Sequence, residues 1–302
     1  MKRKVSRIGS STLMISLPSK WVKRYGVNKG DELEIIEDKD KLIIATEIKV
    51  EHLKKELDIS KFGKFRKNYI SHLYQRGFDE VDIRFENREI LNMIKDRVNQ
   101  LLGFEVIEQG ESYCIIKNIA GGLDHEFDTI LRKIFLMLID MTESSYNAIK
   151  SGEYERLNEI KDLEKMNNKF TDFCIRILNK KGYPEVHKTH FLYVTTRELE
   201  KLADTVRDIC NLFIDAKKGT KIKGEILDIF EEATKYLRIY YELFYKFDPN
   251  KATYLEDKKR EMVNKGQELM GCSKEESILL MHLINLFKGA YELTGPYSCM
   301  NL

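Results

Sequence analysis

Cysteine and proline are both scarce in this chain of 302 residues. Five cysteines are scattered along it, no two of them form a CxxC pair, and only four prolines interrupt the chain. An odd number of unclustered cysteines argues against a disulfide framework and against a thiolate zinc site. We therefore expect a reducing compartment, the cytoplasm.

Long apolar runs are also missing. The longest, from Ile278 to Phe287, is interrupted by His282 and Asn285, whereas a helix that crosses a bilayer needs about 20 apolar residues. The basic N-terminus alternates polar and apolar residues over residues 5–16, which is not the pattern of a signal peptide. The sequence predicts no membrane insertion.

Charge is abundant but balanced. Charged residues make up 33% and hydrophobic residues 42% of the chain, which suits long amphipathic helices, while the net charge is only +2. Any nucleic-acid site must therefore be a local concentration of basic residues. No nucleophile–base pair and no HExxH-type motif is visible, so we do not expect an enzyme.

The residue pattern predicts a multidomain α+β protein of three segments. Residues 1–47 read as a strand, a short helix over Lys20–Tyr25 and two more strands, and a domain of this size buries too little surface to be stable without a partner chain. Residues 48–120 read as a small α/β linker or dimerisation module, with a helix from Phe62 to Gln75.

The third segment, residues 121–302, follows a predicted hinge at Gly121-Gly122 and is almost entirely helical. Six helices are expected, either as one bundle or as two three-helix units in series. One break is expected near residues 218–220, and Gly295-Pro296 is expected to end the last helix.

Basic residues crowd the start of the chain. Eight of them precede the first acidic residue, Asp31, and acidic residues follow closely after it. Two such ends in a dimer would form one basic face that neutralises phosphates and releases their counterions. A solubilising basic tail is the alternative on charge alone. The candidate DNA contacts are Lys2, Arg3, Lys4, Arg7, Lys20, Lys23 and Arg24.

Arg3-Lys4-Val5, Ile15-Ser16-Leu17-Pro18 and Lys29-Gly30-Asp31-Glu32-Leu33 form a recognisable series. It resembles the SpoVT/AbrB swapped-hairpin family. The resemblance implies a homodimer of interleaved strands with DNA contacts near the first strand, which by position are Arg3, Lys4 and Arg7. Lys20, Lys23 and Arg24 follow from charge alone. Residues 10–12 are serine and threonine where DNA-binding members often have an arginine.

Two carboxylates in the third segment could hold a cation. Glu200 and Asp204 are four residues apart on a predicted helix, so they lie together beside its apolar stripe. Such a pair can bind a divalent metal or iron through oxygen. The alternative is a solvated helix face on which Lys201 and Arg207 screen the acids.

The stretch Leu199-Glu200-Lys201-Leu202-Ala203-Asp204 resembles the signature of the phosphate-uptake-regulator (PhoU) family. The resemblance implies two three-helix repeats and a metal at Glu200 and Asp204. Phe287 and Tyr291 stand at the corresponding acidic positions of the second repeat, so a second metal site is not expected. Further ligands would come from the first helix, where Glu126, Asp128, Asp140 and Glu143 are the candidates. Two loop histidines, His187 and His190, are read as incidental.

Together the segments resemble archaeal regulators of phosphate uptake. The leading hypothesis is a regulator of phosphate homeostasis that binds DNA as a homodimer and senses a metal, phosphate or a phosphate-transporter component through its helices. The alternative is an adaptor that dimerises through the hairpin, does not bind DNA and docks on a transporter or signalling partner. The residues after Gly9 favour the adaptor, whereas the run of basic residues favours DNA binding.

Overall fold

The computed structural model of the chain describes residues 2–38, 40–46, 52–62, 65–121, 123–215 and 221–301. They form two compact units, Met1–His52 and Leu53–Leu302. Three predicted features lie outside the described residues: the first segment boundary at residues 47 and 48, the second glycine of the hinge at Gly122, and the helix break at residues 218–220.

The first unit consists of two hairpins and a helix. Strands β1 (Val5–Ile8) and β2 (Thr12–Ile15) pair antiparallel, as do β3 (Leu33–Asp38) and β4 (Lys41–Thr46). Between the hairpins lies helix α1 (Ser19–Tyr25), which begins after Pro18 and ends at Gly26. Gly26 has a φ of 63°, the left-handed conformation that a residue without Cβ adopts most readily. The predicted order of strand, helix, strand and strand is confirmed, with the first strand folded into a hairpin.

The second unit begins with a four-stranded sheet in the order β5-β6-β8-β7. Strand β5 (Lys54–Asp58) runs parallel to β6 (Glu80–Arg84), and helix α2 (Asn68–Gln75) connects them. Helix α3 (Arg88–Val98) then leads to the antiparallel pair β7 (Phe104–Gln109) and β8 (Tyr113–Asn118). One face of the sheet packs on α2 and α3 around a core that includes Ile70, Ile83 and Ile94. The small α/β module of the prediction is confirmed.

Two details of this module differ from the prediction. The predicted helix from Phe62 begins only at Asn68. Phe62, Phe65 and Tyr69 have helical spacing, but the backbone at Phe62 is extended and the two phenylalanine rings instead pack on Tyr69, with centroids 5.4 and 6.2 Å away. Strand β5 was not predicted, because its sequence KKELD offers a single large apolar residue; at a sheet edge, backbone pairing suffices and charged side chains are tolerated.

The rest of the second unit is helical, as predicted. The amphipathic pattern of the first long helix puts Leu131, Ile134, Phe135 and Leu138 into the core. The six long helices are α4 (Phe127–Ser151), α5 (Leu157–Lys180), α6 (Thr189–Ile214), α7 (Gly224–Tyr245), α8 (Pro249–Glu268) and α9 (Lys274–Glu292).

Helices α4, α5 and α6 pack on one another, as do α7, α8 and α9, and the two groups meet through α6 against α9 and α4 against α7. This is the predicted pair of three-helix units. The sixth helix, α9, ends at Glu292, just before Gly295-Pro296 as predicted, but a further helix that was not predicted, α10 (Thr294–Asn301), follows it. Proline is compatible with a first helical turn, where its missing N–H has no intrahelical acceptor. None of the helices in the described ranges is long and apolar enough to cross a membrane.

Buried ion pairs join the sheet module to α5. Arg176 of α5 donates to a carboxylate oxygen of Asp79 at 2.7 Å and to the backbone oxygens of Tyr74 and Phe78 at 2.9 and 2.7 Å. Its guanidinium lies 5.0 and 5.4 Å from the ring centroids of Tyr74 and Phe104. This buried pair is one of the contacts that hold the module and the bundle together in the compact unit Leu53–Leu302.

Candidate nucleic-acid interface and acidic cluster

All seven candidate DNA contacts are exposed in the first unit. Lys2, Arg3 and Lys4 precede β1, and Arg7 lies within it opposite Leu13 of β2. Cross-strand partners share a face, so Arg7 extends from the same face as Val5, Leu13 and Ile15. Lys2, Arg3, Lys4 and Arg7 form no ion pair with any carboxylate of the described residues.

Helix α1 presents a basic face of its own. Lys20, Lys23 and Arg24 have the spacing that puts side chains on one side of a helix, and all three are exposed. Trp21 and Val22, in contrast, are half-buried. The helix thus separates its charged residues from its apolar residues, and Lys23 and Arg24 also lie in its last turn, where cations favour the helix dipole.

The hairpins of the first unit expose apolar side chains. No residue of the unit is buried among those whose burial is described, and Leu13 and Leu42 are each 65% exposed. Exposed apolar strands of this kind are unusual for a stable monomer, because burying one large aliphatic side chain is worth about 1.5–3 kcal/mol. Other exposed apolar residues of the hairpins are Val5, Ile8, Met14, Ile15, Ile35 and Ile43.

The acidic residues of the first unit belong to different elements from the candidate DNA contacts. Asp31 accepts a hydrogen bond from the backbone N–H of Asn28 at 2.7 Å and closes the turn before β3. Glu34 and Glu37 follow on β3. In sequence the seven candidate DNA contacts therefore belong to β1, its preceding residues and α1, whereas the acids belong to the turn and the second hairpin.

In the helical part, Asp204 lies in a cluster centred on Arg207. One nitrogen of the Arg207 guanidinium donates to Asp204 and to Glu164 of the neighbouring helix α5, the latter at 2.9 Å, and the other donates to Asp208 at 3.0 Å. Glu164 is only 8% exposed and also accepts from Asn168 at 2.6 Å. Burial and a hydrogen bond with Glu164 raise the pKa of Asp204 to about 6.

Glu200 is bound by a different arginine. Arg197, one turn earlier on α6, donates to it at 2.6 Å. Burial raises the pKa of Glu200 to about 7, and the charges of Asp172 and Asp204 act in the same direction. Lys201, which the sequence offered as a screening cation, pairs with Glu198 at 2.6 Å instead, whereas Arg207 does contact Asp204 as expected.

Asp172 connects this region to the sheet module. It is 3% exposed and accepts from Arg97 of α3 at 2.7 Å and from Gln75 of α2 at 2.6 Å. Burial raises its pKa although Arg97 opposes the shift. The sequence did not point to Glu164, Asp172 or Arg97, because their partners lie 43 to 97 residues away along the chain.

The other candidate ligands do not join Glu200 and Asp204. Glu143 binds Arg238 of α7, and Asp128 accepts from the hydroxyl of Tyr183 at 3.1 Å. Glu126 pairs with His125, and Asp140 is contacted by Ser144. Within the described ranges, no three histidine, cysteine, aspartate or glutamate residues are grouped so that they could hold a metal ion.

At the equivalent positions of the second three-helix unit the side chains are aromatic. Phe287 is buried against Tyr236, with ring centroids 5.0 Å apart. Tyr291 lies under the ammonium group of Lys259, 3.8 Å from its ring centroid. Both residues serve packing.

Comparison with known families identifies the first unit. Residues 7–52 match the family described as "Antidote-toxin recognition MazE, bacterial antitoxin". The matched stretch includes both hairpin regions and α1, and it agrees with the swapped-hairpin resemblance found in the sequence, which is thereby confirmed as a MazE/AbrB-like domain.

The crystal structure of the phosphate transport system regulatory protein PhoU from Streptococcus pneumoniae is similar to the helical part of this chain. The similarity covers 58% of this chain and 92% of that protein, with 12% identity and a TM-score of 0.48. A likeness at this level assigns no activity or ligand. No curated protein matches the chain in sequence.

Proposed function

We propose that the chain is a regulator that binds DNA as a homodimer through its first unit and receives a signal of phosphate status through its helical part. The observation that carries the DNA-binding half is the run of eight basic residues before Asp31. Seven of these side chains are the exposed candidates on β1, its preceding residues and α1. Phosphate contacts from such residues provide affinity that does not depend on base sequence.

Dimerisation is supported by the apolar side chains that the hairpins expose. Residues 2–46 include none that is buried in the single chain, as far as their burial is described. A second copy that covers Leu13, Ile15 and Leu42 would provide the missing core. The match to a MazE/AbrB-like domain supports the same arrangement, because its swapped-hairpin architecture interleaves two chains.

The signalling half of the proposal rests on the motif around Glu200 and Asp204 and on the two three-helix units that carry it. The residues resemble the phosphate-uptake-regulator signature, and helix α6 places both carboxylates on one side. A component of a phosphate transporter is the proposed partner of this part. The two motif residues are carboxylates, which do not bind an anion such as phosphate directly. We therefore favour contact with a protein partner over direct binding of phosphate.

The DNA-binding half is tested with the full-length chain and a labelled duplex. Fluorescence anisotropy across a salt series compares the wild type with the triple variant Arg3→Ala, Lys4→Ala and Arg7→Ala. A matched control removes three exposed lysines of the helical part: Lys221→Ala, Lys246→Ala and Lys274→Ala. Both variants lose three positive charges. A difference in their affinity for DNA therefore reports where the charges lie and not the net charge of the protein.

We expect the N-terminal variant to lose at least tenfold in affinity at physiological salt and to reduce the log–log salt slope by up to about 5, because the dimer loses three basic residues from each chain and each lost phosphate contact contributes about 0.9. The control variant should keep both. Equal, weak binding by all three proteins would refute DNA binding and support the adaptor, in which the hairpins only dimerise the chain.

A further inference from the structure

We propose that the acidic cluster on α5 and α6 is a cation site filled by the protein's own Arg207, assisted by Arg197, and that it therefore does not take the metal that the sequence motif suggests. This inference concerns the helical part alone. It does not depend on whether the first unit binds DNA.

The position of Arg207 is the first observation. Its guanidinium contacts Glu164 on α5 and Asp204 and Asp208 on α6, so a single positive group lies among three carboxylates on two helices. A bound metal ion would have to occupy the same point between these oxygens. The planar, permanently charged guanidinium serves several carboxylates at once and needs no exchangeable ion.

The arrangement of oxygen donors is the second observation. A hard divalent ion requires several oxygens directed at one point, about 2.0–2.1 Å from it for Mg²⁺ and about 2.3–2.6 Å for Ca²⁺. Glu200 is instead held by Arg197 at 2.6 Å, and Asp204 is held by Arg207 one turn further along. Each carboxylate of the motif is thus bound to its own arginine, three residues away, rather than directed at a shared centre.

The hydrogen bonds that Glu164 accepts are the third observation. Asn168 donates to the same oxygen of Glu164 that accepts from Arg207, at 2.6 and 2.9 Å. That oxygen has both acceptor positions in use. Removing Arg207 would leave Glu164 buried beside Asp204 without the cation that lies between them, a situation that favours capture of an external cation.

The test uses the full-length chain, treated with chelator and then titrated with Mn²⁺ alone. Calorimetry measures binding, and thermal melts with and without Mn²⁺ measure stabilisation. The metal content of the untreated purified protein, including iron, is determined by elemental analysis. The variants are Arg207→Met and, as a matched control, Lys201→Met, which removes a cation from the same helix that pairs only with Glu198 among the described acids.

We expect the wild type and Lys201→Met to carry no stoichiometric metal and to melt at the same temperature with and without Mn²⁺. Arg207→Met should melt lower without metal, bind Mn²⁺ at least tenfold more tightly than the wild type and regain several degrees when Mn²⁺ is added. A folded Arg207→Met variant that binds no Mn²⁺ would overturn the inference.

The metal content of the wild type tests the proposal even if Arg207→Met fails to fold. Stoichiometric manganese or iron in the wild type, lost in Glu200→Gln and in Asp204→Asn, would show that the motif holds a metal and that Arg207 does not exclude it. Metal-free wild type whose melting is unaffected by Mn²⁺ supports the arginine-filled cluster.

Discussion

Replacing Arg176 by methionine should weaken the contact between the sheet module and the helical bundle and so destabilise the protein. The side chains of Arg176 and its partner Asp79 are 4% and 8% exposed, so the pair is shielded from solvent. The substitution keeps much of the side-chain volume but removes the donors to Asp79, Tyr74 and Phe78. It also removes the cation that lies near the rings of Tyr74 and Phe104.

Removing one partner of a buried ion pair costs about 3–5 kcal/mol, because the remaining charge stays buried without compensation. Here Asp79 retains Lys180 and the backbone N–H of Leu53, which places the expected loss near the lower end, about 3 kcal/mol. Two backbone oxygens that lose a donor each add a cost, which can reach about 1 kcal/mol or more per group. The expected loss is therefore about 3–5 kcal/mol in free energy of unfolding.

Urea unfolding of the full-length chain, followed by circular dichroism, measures this loss. The matched control is Arg238→Met, which breaks a pair with Glu143 whose side chains are 52% and 38% exposed. An exposed pair is worth about 0–1 kcal/mol, so the control should remain close to the wild type. A loss below about 1 kcal/mol for Arg176→Met would refute the view that this buried pair couples the two parts.

Two further stability changes follow from other buried polar groups. Asn167 is fully buried, and neither the oxygen nor the nitrogen of its side-chain amide is hydrogen-bonded to a described protein group. The substitution Asn167→Leu should therefore raise the free energy of unfolding by about 1 kcal/mol. A urea midpoint below that of the wild type would contradict this. Burial alone would raise the pKa of Asp79, but hydrogen bonds from Lys180 and Leu53 and the charges of Lys180 and Arg176 outweigh it and lower that pKa. Ionised Asp79 therefore stabilises the fold above its ordinary pKa of about 3.9, and this stability is lost as the pH falls through the lower, folded-state pKa. When the free energy of unfolding is measured from pH 6 to pH 3, it should fall less steeply for Asp79→Asn than for the wild type. An equally steep fall in both proteins would contradict this role of Asp79.

The sequence predicts the arrangement of elements well because the signals are local. Gly26 ends α1, and Ser273 with Glu276 begins α9 by a reciprocal pair of cap hydrogen bonds. Apolar residues at helical spacing on α4 and α6 lie in the core as expected. In each case the deciding residues are neighbours along the chain, so their pattern can be read without a structure.

Features that depend on distant partners were missed. Strand β5 exists because β6, more than twenty residues later, supplies its backbone hydrogen bonds. The pairs of Arg97 with Asp172 and of Arg207 with Glu164 join residues 75 and 43 positions apart. Helical periodicity shows which side of a helix faces inward but not which residue of another element meets it. The contact of Arg207 with Asp204, in contrast, joins residues three positions apart, and it was one of the two alternatives that the sequence offered.

DNA binding by the intact chain as a function of salt tests the central claim most directly. A dimer whose basic residues contact about six phosphates should bind with a log–log slope near −5 against salt concentration, and analytical ultracentrifugation should find two chains per duplex. A slope near zero, or a monomer in the ultracentrifuge at the concentrations used for binding, would contradict the account. The first unit would then not be a DNA-binding dimer.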